Sequence, residues 1–139
     1  MGEKRLARRL VKSVDTNIVL RLLMGDEPAQ SKKAKLCFDE PVLITISVLI
    51  ETGWVLRSHY GLDRQQICTL FGSLDDYSTV TFEREGEVRW ALSRFASGGD
   101  LADLLHVAAS ADTTKFVTFD RGVAPAAGSN PPGPIETLG

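Results

Sequence analysis

Apolar positions along the chain alternate between short continuous runs and longer stretches spaced three and four residues apart. Leu10-Val11-Lys12-Ser13-Val14 predicts a strand, and the spacing of Ile18 and Leu22, with Val19 and Leu23 beside them, predicts a helix directly after Asp15. Gly25-Asp26-Glu27-Pro28 breaks that pattern, and Pro28 suits the first turn of a second helix through Gln30, Ala34 and Phe38. Val42-Leu43-Ile44 reads as a buried strand. Ser47 to Tyr60 then reads as a deeply placed helix with Ser47 as its cap. Asp63 caps a fourth helix through Ile67, Leu70 and Phe71, and Thr79-Val80-Thr81-Phe82 is a third strand. Glu85 to Ser97 is helical and ends at Gly98-Gly99. Asp100 opens a helix over Leu101 to Ala111, and Phe116-Val117-Thr118-Phe119 is a strand ending at Asp120. The Gly- and Pro-rich remainder, 124–139, reads as a loosely ordered tail with at most a short strand near Ile135.

The order β, α, α, β, α, α, β, α, α, β predicts an α/β fold. Its centre is a parallel sheet of four or five strands, flanked by helices. At 139 residues the chain fits one domain over 1–139, with Met1 to Arg9 as a basic extension. That extension carries four bases and one acid. It reads as a solvated tail or a misplaced start, or else as an arm that touches phosphates.

Composition changes this picture little. The net charge is −2, from 16 Lys and Arg against 18 Asp and Glu, so a nucleic-acid partner is neither announced nor excluded. Cys37 and Cys68 form no disulfide framework and read as small core residues of a reduced, cytoplasmic chain. No window approaches the roughly 18 apolar residues of a membrane span, and no apolar signal-peptide region follows the basic start.

The candidate chemistry lies in the acids. Asp15 and Asp120 each follow an apolar strand, and parallel strands would put both at one sheet edge, where ligands bind in open α/β sheets. Glu51 shares a helical stripe with Val48, Trp54 and Val55. Burial there would demand a cation or an ion pair, for example with Arg57 or Arg21. Asp103 lies in the first turn of its helix, where Asp100 fits the N-cap, so either could serve capping alone. Carboxylates gathered at one edge repel, and a divalent cation relieves that. An all-oxygen donor set favours Mg²⁺ or Mn²⁺ over zinc. Such a site suits phosphate chemistry. Neither His59 nor His106 belongs to a nucleophilic triad, and no Gly-rich phosphate loop is present. Arg84, Arg121 or the N-terminal bases could hold a nucleic-acid backbone.

Four separated segments resemble a PIN domain, in particular the VapC-type ribonuclease toxins of toxin–antitoxin pairs. They are Val14 to Leu23, Ile46 to Leu56, Asp100 to His106, and Val117 to Arg121. The resemblance implies that Asp15, Glu51 and Asp103 bind metal, with Asp120 the more variable fourth acid. Asn17 matches the polar residue beside the first acid, and Thr118 the hydroxyl residue before the last. Asp100 is a neighbour of Asp103 and competes with it in the alignment. The resemblance further implies a metal-dependent endoribonuclease acting on RNA, a cognate antitoxin and a homodimer. A PIN-like module that binds RNA or protein without catalysis, a PIN nuclease of RNA processing and a receiver-like phosphoryl-transfer domain are the alternatives. The basic extension and the Gly/Pro-rich tail depart from the family pattern.

Overall fold

The structure, a computed structural model, describes residues 10–139, so the basic extension Met1 to Arg9 lies outside the described residues. Three strands, β1 (Lys12–Ser13), β2 (Val42–Ile44) and β3 (Val80–Phe82), form one parallel sheet in the order β1-β2-β3. Every residue of β2 is buried, as a central parallel strand covered on both faces requires. A second parallel ladder joins β4 (Phe116–Thr118) to β5 (Ile135–Thr137). Pairing within each of the two ladders is thus parallel, as the α/β order predicts. The five strands hydrogen-bond as a group of three and a group of two rather than as one continuous sheet. The shortness of β1, two residues long, leaves it little ladder to offer a further neighbour.

Seven helices are described: α1 (Thr16–Met24), α2 (Pro28–Cys37), α3 (Ile46–Ser58), α4 (Arg64–Asp75), α5 (Glu85–Ser97), α6 (Leu101–Ala109) and α7 (Val123–Ala127). Their ends carry the expected chemistry. Asp15 accepts from the Ile18 N–H at 3.1 Å, and Gly25 closes α1 in the left-handed region at φ 61°. Asp63 and Gln66 form a reciprocal capping box on α4. The cap of α3 differs from expectation: Thr45, not Ser47, accepts from the Val48 N–H. Two hydroxyl residues stand two apart there, and the earlier one ends β2 with extended backbone, which is the geometry a cap needs.

The core includes Val19, Ile44, Leu49, Phe71, Phe82, Phe95, Leu104 and Leu105, drawn from both sheet and helices. Cys37 and Cys68 are free and half-buried against it. The tail from 124 to 139 is more ordered than its composition suggests. Ala127 of α7 is fully packed, and β5 pairs with β4 along its whole length. Its stability comes from partners distant in sequence, which Gly and Pro content does not report. Among the described residues no helix is long and apolar enough to cross a membrane.

Two close approaches set the positions of α3 and α6. A Cβ added to Gly53 would meet Leu101 Cδ2 at 2.6 Å, so the absence of a side chain lets the middle of α3 touch the start of α6. Arg64, at the start of α4, donates to the carbonyls of Phe95 (2.6 Å) and Gly99 (2.7 Å). Its guanidinium also lies 4.6 Å from the Phe95 ring centre. Arg64 therefore pins the Gly98-Gly99 turn, whose φ values of 131° and 110° favour glycine, and this turn delivers Asp100 to α6.

Candidate active site

Parallel pairing of β1, β2 and β3 puts Asp15, Thr45 and Glu83 at one sheet edge, each following its strand. Asp15 is exposed, and one of its oxygens caps α1; Asn17 is exposed beside it. Next to Asp15, the buried Thr16 donates its hydroxyl to Glu51. This contact brings the α3 acid against the first turn of α1.

Glu51 departs from the expectation of a buried acid. The stripe that includes Ser47, Glu51 and Trp54 is the exposed side of α3, and the buried side is Ile46, Leu49, Thr52, Gly53 and Leu56. An almost wholly apolar helix has no polar face to reveal which side meets solvent, so the period alone misplaces Glu51. No ion pair to Arg57 or Arg21 is formed among the described residues. Arg21 instead binds Gln30, Asp26 and Tyr60.

The second group of acids surrounds α6. Asp100 caps the helix by accepting from the Asp103 N–H at 2.9 Å. Asp103 is half-buried, and its carboxyl pKa is raised above the ordinary carboxylate value. Burial is the largest cause, followed by the negative charges of Asp100 and Asp120, while His106 opposes the shift. Asp120 is therefore close enough to Asp103 to act on it, although β4 shares no ladder with β1. Thr118 shapes the Asp120 turn: its hydroxyl accepts from the Asp120 N–H at 3.0 Å, and Asp120 accepts from the Gly122 N–H at 2.7 Å.

The structure thus links the acids in two sets, Asp15 with Glu51 through Thr16, and Asp103 with Asp100 and Asp120. Among the described residues no three His, Cys, Asp or Glu side chains are grouped closely enough to hold a metal ion. The expected convergence of all four acids on one point is not drawn in. Mutual repulsion opposes it, and each acid has a local hydrogen-bond donor or is partly buried. The donor chemistry nonetheless fits a hard divalent cation, because the candidate ligands are carboxylates and those around Asp103 already raise its pKa. The two histidines are exposed, and the cysteines lie in α2 and α4, away from these acids in sequence.

Two residues at the edge escaped the sequence reading. Thr16 lay hidden between two better candidates, and its partner is 35 positions away. Glu83 accepts from the Ile46 N–H at 2.9 Å, adding a second cap to α3 from the end of β3. An acid directly after an apolar strand was the available signal for Glu83, the same one that singled out Asp15. Of the candidate cations for a nucleic-acid backbone, Arg84 is bound to Asp112 at 2.9 Å and lies 3.8 Å from Glu87, so it acts as an internal anchor. Arg121 is exposed next to Asp120.

Comparison with known families finds the PIN domain over residues 12–128, a span that includes Asp15, Glu51, Asp103 and Asp120. No curated protein and no solved structure matches the chain. The parallel α/β architecture agrees with the family match, and the chain belongs to the PIN domain family, whose members are in general nucleases.

Proposed function

We propose that this protein is a metal-dependent endoribonuclease of the cytoplasm, the toxin of a type II toxin–antitoxin pair, with Asp15, Glu51, Asp103 and Asp120 as its functional acids. The observation that carries the reading is the half-buried Asp103, whose carboxyl pKa is raised first by burial and then by the charges of Asp100 and Asp120 gathered beside it. Like charges kept together at the cost of repulsion are what a cation-binding site requires before its cation arrives.

In this reading Asp15, Glu51 and Asp103 hold Mg²⁺ or Mn²⁺, and Asp120 assists. When bound, the cation neutralises phosphate charge and makes water a better nucleophile. The chain supplies the rest. Thr16 orients Glu51, Asp100 fixes the first turn of α6 beneath Asp103, and Thr118 holds the turn that presents Asp120. Asn17, exposed beside Asp15, is available to a substrate phosphate or to water. Hydrolysis joins a water oxygen to phosphorus and releases one ribose oxygen, which takes up a proton. The motif likeness to VapC-type toxins supports the finer parts of the proposal: an RNA substrate, a cognate antitoxin and a homodimer.

One observation favours a second reading, a PIN module that binds RNA or protein without catalysis. Asp15, Asp100 and Asp120 each cap a backbone N–H, and Glu51 accepts from Thr16, so every one of these acids has a structural partner. Incubation of the purified protein with total cellular RNA separates the two readings. Discrete fragments that form with Mg²⁺ or Mn²⁺ and vanish in EDTA are expected. A folded, partner-free protein that leaves RNA intact in both ions would contradict the nuclease reading.

A further inference from the structure

Trp54 is 68% exposed, an unusual state for the largest apolar side chain, and it makes no ring contact with another described residue. It stands three residues beyond Glu51 on the exposed side of α3, about 4.5 Å further along the helix axis. It also lines a shallow cleft of about 80 Å³ between α3 and α6, whose other walls include Gly53, Arg57, Asp100 and Leu101. Gly53 stands in its wall where α3 and Leu101 come into close contact. Arg57 is exposed three residues beyond Trp54, with no ion pair or hydrogen bond among the described residues. Asp100, whose charge acts on Asp103, also lines the cleft.

A flat aromatic face and an uncommitted guanidinium one turn away, in a cleft that shares Asp100 with the acid cluster, match the chemistry of one nucleotide. A base offers a π-face of any sequence, and its phosphate offers a negative charge. We propose that the α3–α6 cleft is a subsite for an unpaired nucleotide of the RNA substrate, the base stacking on Trp54 and a phosphate pairing with Arg57. The inference rests on the nuclease reading for its substrate class. It makes the enzyme select unpaired RNA, because a base within a duplex has both faces covered and cannot stack on the ring.

The test measures binding in EDTA, so that no cleavage intervenes, with a labelled single-stranded RNA of mixed sequence and the same strand in a duplex. In a Trp90→Phe background the remaining Trp54 fluorescence is quenched by the single strand and not by the duplex. Trp54→Ala weakens single-strand binding about ten-fold, and Trp54→Phe retains most of it. Arg57→Gln flattens the dependence of log affinity on log salt by about 0.7, the value for one phosphate on a single strand. Wild-type affinity in Trp54→Ala, or no quenching, overturns the subsite. So does sedimentation showing that Trp54→Ala dissociates a dimer without altering RNA affinity, since the ring then belongs to a protein interface. Unchanged binding with intact metal-dependent cleavage would remove the subsite and leave the nuclease standing. Trp54-dependent binding with no cleavage in metal would do the reverse.

Discussion

Thr16 donates its hydroxyl to the carboxylate of Glu51, joining the residue beside the first acid of the chain to an acid on another helix. The bond is the direct link between the β1 edge and α3, and it fixes where one Glu51 oxygen points. Thr16→Val keeps the shape and removes the donor. It is expected to cost about 1.5–3 kcal/mol in urea unfolding, the range for a hydrogen bond to a charged group. RNA cleavage should fall by more than the stability loss explains, with Thr16→Ser restoring most of both. Cleavage by Thr16→Val at the wild-type rate would detach the bond from function.

Gly53 and Leu101 meet where α3 touches α6. Gly53→Ala gains about 1 kcal/mol of helix propensity, but overpacking against the buried Leu101 costs about 1–3 kcal/mol. A net loss of about 1 kcal/mol is expected. In a Leu101→Val background the obstructing Cδ2 is gone, so the same substitution should cost less than it does alone. Additive losses in the double-mutant cycle would contradict the contact.

Arg64 holds two carbonyls around the Gly98-Gly99 turn and covers the Phe95 ring. Arg64→Met keeps the apolar stem and loses the donors, at an expected cost of about 2 kcal/mol. Arg64→Lys should recover little, because an ammonium cannot copy the reach of a planar guanidinium. Hydrogen exchange at the start of α6 should quicken in both variants, since this turn delivers Asp100.

Asp103 carries a raised pKa in the folded chain, caused first by burial and then by Asp100 and Asp120. A folded pKa above the unfolded one gives stability that is fully present below the ordinary carboxylate range. That stability is lost as pH rises through the folded value. Unfolding free energy measured from pH 3 to 7 should therefore show a contribution from Asp103 that declines with rising pH. Asp103→Asn should remove this decline and be more stable than wild type at pH 7, while losing cleavage. A variant less stable than wild type at pH 7 would contradict the assignment.

The elements were legible where burial leaves a period or a cap. Val42-Leu43-Ile44, the Asp63 cap and the Asp100 cap all lie where their sequences place them. The exposed side of α3 was not legible, because Val48, Trp54 and Val55 resemble core residues and nothing local tells which of them meets solvent. Nor was the split of the strands into two ladders, which depends on pairing between distant segments. The acids themselves could be read from their places after strands and at helix starts. Their partners could not: Thr16 is 35 positions from Glu51, and the influence of Asp120 on Asp103 arises only when α6 meets the end of β4.

The central claim is that these acids bind a divalent cation in order to cleave RNA. Calorimetric titration of Mn²⁺ into wild type, Asp15→Asn and Asp103→Asn, with RNA cleavage followed on the same samples, tests it most directly. The account predicts that wild type binds the ion and cleaves, and that each variant stays folded yet loses both. Undiminished metal binding and cleavage in either variant would contradict it.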